Sequence, residues 1–260
     1  MMQGYFLLCR ALGSMLRSAR YSEARVSDRQ VRKRRRFYAP VLVWLSRPLM
    51  RILDTGVRVL PQREWEERER QIYQRLRGAS IHVDGGGVVV LPALCGQTLA
   101  SLLEQRKLEE PVRNKAIELA VVALADFHRL GFTHGDAMAE NVLVDLEAGV
   151  ARWFDFETVH ESSRPMNWRR ADDVRALLAT CLVRTSPEHR AETVGLILDA
   201  YADEAVTGTL TSSFASVWQR PLTYHLAQAP LSLQCFREIA HHVPRPRAAA
   251  VQPIVAMRAE

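Results

Sequence analysis

Lysine is scarce in this 260-residue chain: Lys33, Lys107 and Lys115 are the only ammonium groups among 35 basic residues, and arginine supplies the rest. Any chemistry that needs a lysine therefore has few places to find one. Cysteine is sparse too. Cys9, Cys95, Cys181 and Cys235 form no CxxC pair and no Cys/His cluster with metal spacing. Neither a disulfide framework nor a zinc site is thereby indicated, and a reducing, cytoplasmic compartment is the simplest reading. The apolar run Tyr5 to Cys9 lacks a basic leader and is far too short to cross a bilayer. No Gly-x-Gly-x-x-Gly run occurs either: Gly4 and Gly13 are isolated, and Gly85-Gly86-Gly87 reads as the turn of a hairpin between Ile81–Val83 and Val88–Leu91.

What is present is enough chain for one or two domains with a sizeable core. The net charge of +6 is unevenly spread, with the densest basic stretch between Arg10 and Arg36. Such asymmetry suggests an anionic partner for that part. The most informative stretch is Phe132 to Glu157. It contains His134-x-Asp136-x-x-x-x-Asn141, an apolar run, a turn at Leu146 to Gly149, and Asp155-Phe156-Glu157 fourteen residues after the asparagine. Asn141–Asp145 and Ala151–Asp155 are each expected to be strands, so a hairpin would bring Asn141 close to Asp155. Phosphoryl transfer from ATP needs a carboxylate for the attacking hydroxyl and oxygen ligands for Mg²⁺. Asp136, Asn141 and Asp155 can supply them.

HGDxxxxN followed by DFE resembles the catalytic and metal-binding loops of the protein-kinase-like superfamily. The pattern is closest to bacterial lipopolysaccharide (Kdo/heptose) kinases and Bud32-like small kinases. The resemblance implies an α+β, two-lobed protein-kinase-like fold with a reduced small N-lobe and an α-rich C-lobe. It divides the chain into a basic segment (1–30), a small lobe (31–95), a large catalytic lobe (96–242) and a tail (243–260). Asp136 would be the catalytic base, Asn141 and Asp155 would hold Mg²⁺, and Lys33 with Glu69 would align the ATP phosphates. The acceptor would be a hydroxyl of a bacterial envelope sugar or glycolipid. A non-catalytic nucleotide- or partner-binding module and a Ser/Thr protein kinase are the alternatives. Departures from the pattern are the missing glycine-rich loop and the lack of an activation loop with an APE-like ending after Glu157.

Along the chain, Val31–Phe37 reads as a strand, in which Lys33 competes with Arg32, Arg34, Arg35, Arg36 and the later Arg58 for the phosphate-contacting role. Ala39–Asp54 is an apolar helix with Pro48 as an expected kink. It suits either packing in the core or an interfacial position, since Arg47 and Arg51 flank its apolar face and Trp44 suits a headgroup boundary. Peripheral association with an anionic membrane, at the inner face, follows from the second reading. Arg63–Arg77 is a helix closed by Gly78. Trp65, Ile72, Tyr73 and Leu76 form its apolar stripe and Glu69 falls in the middle, either gripping a buried cation or pairing with arginine at the stripe's edge. Thr98 starts a short helix and Pro111–Leu130 a long buried one.

His128 is expected to satisfy a backbone group, and His134 to brace the loop rather than act as a base. Arg169–Val183 reads as a helix opening on two acids; the resemblance implies that an aspartate here receives the loop's backbone N–H groups, and the position of Asp173 before Val174 and Leu177 favours it over Asp172. Glu192–Ala205 and Ser213–Leu226 look helical. No basic surface interleaved with aromatics marks a nucleic-acid interface.

Overall fold

The computed structural model describes residues 21–214 apart from 28, 53, 79, 106 and 107. The expectations for the first twenty residues, for the tail from His242 and for most of Ser213–Leu226 lie outside the described residues. The fold is α+β, with small antiparallel sheets and a larger helical part.

Strands β1 (Ser22–Val26), β2 (Gln30–Arg35), β4 (His82–Val83) and β5 (Val88–Pro92) form one sheet in the order β1-β2-β5-β4. Strand period decides which cations of β2 enter the interior. Lys33 and Arg35 are buried, whereas Arg32 and Arg34 point to solvent. Helix α1 (Ala39–Ile52) then runs continuously through Pro48, burying Ala39, Val43, Ser46 and Met50. β3 (Val57–Val59) leads into α2 (Gln62–Arg77), whose chain turns out through Gly78 in the left-handed region, φ 57°.

After β5, the two-residue β6 (Gln97–Thr98) opens α3 (Leu99–Leu103). The Thr98 hydroxyl accepts the Ser101 N–H at 3.2 Å as its N-cap. Gly96 is obligatory here: its φ is +114°, and a Cβ would lie 2.5 Å from the Val144 carbonyl oxygen. Helix α4 (Glu110–Arg129) buries Ile117, Val121, Leu124 and Phe127 against the hairpin β7 (Val142–Asp145) and β8 (Val150–Trp153). The Trp153 indole donates to the Ala120 carbonyl at 3.2 Å, fixing that contact.

β9 (Thr158–His160) pairs antiparallel with β3. Leu60 N–H to Glu157 O and Glu161 N–H to Gly56 O, both 2.8 Å, extend the pairing at either end. The chain beyond Glu157 is thus stitched at once to the segment before α2, a long-range pairing that no local pattern announces.

Helix α5 (Met166–Val183) begins three residues before the expected Arg169. Asp172 and Asp173 are therefore not first-turn acids facing the helix N-terminus, but buried groups in its second turn. The helix expected over Glu192–Ala205 is two helices, α6 (Arg190–Tyr201) and α7 (Glu204–Phe214). Ala202 adopts φ 53°, and the Asp203 carboxylate accepts the Val206 N–H at 3.1 Å, so the chain stops and restarts at an aspartate cap. Among the described residues no helix is long and apolar enough to cross a membrane.

Candidate active site

Two buried side chains on α5 hold the loop that carries Asp136. The Asp173 carboxylate accepts the backbone N–H of His134 at 2.6 Å on one oxygen and that of Gly135 at 2.8 Å on the other. Seven residues on, two helical turns along the same face, the Thr180 hydroxyl accepts the Ala139 N–H at 3.0 Å. Asp173 is fully buried. Burial would push its carboxyl up, but the charge of His160 and the hydrogen bond and charge of His128 hold it below the usual carboxylate range. Asp173 is thus the acid that receives the loop, as expected. His128 differs from expectation: its ring meets side chains, Nδ1 at 2.6 Å from the Tyr201 hydroxyl and Nε2 at 3.0 Å from Asp173. A deeply buried carboxylate needs that partner more than a helix carbonyl does.

His134 braces the loop. Its Nε2 lies 2.9 Å from the Phe154 carbonyl, and Nδ1 accepts the Asp136 N–H at 3.3 Å. That arrangement requires the neutral ring, and burial lowers its pKa to about 4. Gly135 has φ +81°, and a Cβ there would lie 3.0 Å from Val159 Cα and N. The glycine between His134 and Asp136 is what lets β9 run against the loop.

Asp136, Asn141 and Asp155 line one cavity of about 760 Å³, together with Lys33, Glu157 and the residues Leu91 to Leu94 at and just past the end of β5. The Asn141 amide nitrogen donates to the Asp136 carbonyl (2.8 Å) and carboxylate (3.1 Å), so its oxygen is the atom left to offer a ligand. The β7–β8 hairpin brings the two ends of the motif together, with Phe154 N–H donating to the Asn141 carbonyl at 3.0 Å. Asp155 follows with φ 68°, a left-handed conformation costing a non-glycine residue about 1 kcal/mol or more. Burial, reinforced by the Asp155 charge, pushes the Asp136 carboxyl up to about 7.

Opposite these acids, Lys33 reaches into the cavity from β2. Its ammonium forms ion pairs with Asp155, with Glu157 at 3.0 Å and with Glu69 at 3.4 Å. Burial works against that charge, but the three carboxylates outweigh it and hold the lysine above its ordinary range. Glu69 occupies the middle of the α2 stripe with no exposed surface. Its Oε1 accepts the Trp65 indole N–H at 3.0 Å and faces Lys33, while Oε2 has no hydrogen-bond partner. Burial accordingly raises its pKa. Of the two readings open for Glu69, the buried cation pair is the one observed.

Several participants had no sequence signal strong enough to single them out. Glu157 pairs with Arg35 at 3.6 Å as well as with Lys33, and accepts the Ser22 hydroxyl. Arg35 also donates to the Leu60 carbonyl at 2.8 Å and lies over the Trp65 ring. Arg68, half-buried on α2, donates to the Thr133 carbonyl just before the loop. Period-2 alternation would have paired Arg35 with Lys33, but the contacts across 135 residues between Ser22 and Glu157 are outside any local pattern. Of the other candidate cations, Arg58 pairs with Glu64 at 2.7 Å on the surface.

The donor set suits a hard divalent cation: carboxylate and amide oxygens around one cavity, with no thiolate and with neutral His134 turned to the backbone. Asn141 and Asp155 are the residues of this cavity whose oxygens could be offered to such an ion. In comparisons with known proteins, no family model matches the chain, and no curated protein aligns with it significantly.

Proposed function

We propose that this chain is a two-lobed, kinase-like phosphotransferase that moves the γ-phosphoryl group of ATP to a hydroxyl. The observation that carries the reading is convergence. A lysine from β2, an aspartate and an asparagine from the α5-pinned loop, and an aspartate after β8 all line one cavity, and a buried glutamate from α2 pairs with that lysine. Asp136 accepts the proton of the acceptor hydroxyl as its oxygen forms the new bond to phosphorus and the bond to the ADP oxygen breaks. A carboxyl pushed toward neutrality is a competent base near pH 7. Lys33, aligned by Glu69, takes the charge of the phosphates, and a base would lie against the cavity wall formed by Leu91 to Leu94. Mg²⁺, when bound, neutralises phosphate charge and fixes the triphosphate for in-line attack.

The acceptor class, a bacterial envelope sugar or glycolipid met at the inner face of the membrane, rests on the resemblance of the HGDxxxxN and DFE motifs. A second reading, nucleotide binding without turnover, is favoured by one observation: the β1–β2 hairpin over the cavity carries no glycine in either strand. Thermal shifts with ATP, with and without Mg²⁺, and phosphate transfer to envelope extracts separate the two. Asp136→Asn is expected to keep nucleotide-dependent stabilisation while transfer falls by about 10² or more. Asp155→Asn should abolish the Mg²⁺-dependent part of the shift. Binding indifferent to Mg²⁺ and no transfer in the wild type would establish the second reading, and no binding at all would refute both.

A further inference from the structure

Helix α1 is built inside out. At about 100° per residue, Ala39, Val43, Ser46 and Met50 share the stripe it buries. The opposite face, about 180° away, is not polar. It carries Val41, Trp44 and Leu45, which are 58%, 69% and 52% exposed, and continues into Phe37 at 94%. Among the described residues these are four of the eight large apolar side chains left exposed, and they fall within nine residues of sequence. Scattered exposed leucines need no explanation; a patch with a tryptophan at its centre does.

Along the chain, the charged residues flanking the patch are of one sign. Between Asp28 and Asp54 the chain holds eight Lys or Arg residues and no acid. Of these, Lys33 and Arg35 are turned inward to the carboxylates of the cavity, while Arg34, Arg47 and Arg51 are exposed. Beside Trp44, a groove of about 250 Å³ runs between α1 and the start of α2, walled by Trp44, Val43, Pro40, Arg47 and Pro61. An apolar tryptophan-bearing face flanked by arginines, next to a groove with a guanidinium at its rim, matches a bilayer surface. Side chains enter at the acyl boundary and cations meet the phosphates. A protein partner would require acids to match the arginines and a hydrophobic counter-face, whereas an anionic bilayer supplies both at once.

We propose that α1 docks this protein onto anionic lipid bilayers, Phe37, Val41, Trp44 and Leu45 inserting and Arg47 and Arg51 contacting headgroup phosphate. The geometry ties docking to the site. Met50, on the buried face of the same helix, lines the cavity along with Val57 and Val59 of β3. The bilayer then lies about one helix diameter, roughly 10 Å, from the cavity wall.

The test uses the full chain and vesicles of phosphatidylcholine with and without phosphatidylglycerol, and its readout does not involve phosphate transfer. Wild type is expected to float with the phosphatidylglycerol vesicles and to be released as salt rises to roughly 0.5 M. Trp44→Ser with Leu45→Ser should weaken partition about tenfold or more. Arg47→Glu with Arg51→Glu should abolish the preference for anionic vesicles while the melting temperature stays unchanged. Equal recovery on both vesicle types overturns the proposal. So does partition that the serine pair leaves unaltered. If the serine pair instead converts a dimer to a monomer and leaves vesicle binding as it was, the face belongs to a second copy and the membrane proposal falls.

Discussion

The loop around Asp136 and the cation site around Lys33 face each other across one cavity, yet they are held by different physics. The loop is fixed by short hydrogen bonds to backbone N–H groups, with each acceptor buried and matched to a donor: Asp173 to His134 and Gly135, Thr180 to Ala139. Lys33 is held by three carboxylates competing for one ammonium, and Glu69 keeps one oxygen unpartnered. Directional bonds to a fixed backbone define a single geometry. A charge shared among several acids tolerates redistribution when a polyanion arrives. One side of the cavity is thus a template and the other an adjustable clamp.

The comparison breaks most severely at Asp173. Replacing it with asparagine keeps the shape but puts an amide NH₂ against donors that each need an acceptor. At least one buried N–H then loses its partner, along with the charge that strengthens the rest. The expected loss is about 3 kcal/mol, read as a lower urea midpoint with unchanged slope. A loss under about 1 kcal/mol would mean that the loop is held elsewhere.

Two neighbours in the loop sharpen the same contrast through pH. His134 has its folded pKa lowered to about 4, against about 6.5 when unfolded. Its contribution is complete above about 6.5 and is lost as pH falls through 4, about 3 kcal/mol in all. Asp136 is raised to about 7, from about 3.9 unfolded. Its effect has the opposite sign: stability is highest below about 4 and declines as pH rises toward 7, by a similar amount. In metal-free wild type the two therefore nearly cancel between pH 4 and 6.5. Asp136→Asn should reveal the histidine slope, with stability rising with pH, and His134→Asn the reverse slope. Denaturant titrations at several pH values in chelator will read both. Parallel slopes in the two variants would contradict the buried environments described for these side chains.

What could be read from the sequence follows the same division. Gly78, Thr98, the β7–β8 hairpin and Glu69 on its stripe are set by local geometry, so period and capping chemistry located them. Asp173 was separable from Asp172 by its position before Val174 and Leu177, although the helix start was misplaced because Met166 to Trp168 carry no capping signal. Thr180 was missed because a threonine inside a helix has no distinctive pattern; only the fold shows that its hydroxyl meets Ala139. Ser22, and the partners of Glu157 and Arg35, were missed for a related reason: these residues come together through the β3–β9 pairing and the four-stranded sheet, both long-range events. The break at Ala202 was hidden by alanine's helical preference and is explained by the Asp203 cap.

The smallest expected effect tests the adjustable side. Glu157→Gln removes one of three acids around Lys33 but leaves a side chain of the same shape that still accepts from Ser22. Lys33 retains Asp155 and Glu69, and Arg35 keeps the Leu60 carbonyl. Against the lost attraction stands the relief of repulsion among buried carboxylates and of one desolvated charge. The two nearly balance, so stability should change by less than about 1 kcal/mol in the urea titration that reads Asp173→Asn. The redistribution should show instead at Lys33: with one competitor gone, its pairing with Glu69 strengthens, and Glu69→Gln added to Glu157→Gln should cost more than Glu69→Gln alone. A double-mutant cycle measures that coupling directly. Additive costs, or a Glu157→Gln loss as large as that of Asp173→Asn, would show the clamp to be as rigidly specified as the template.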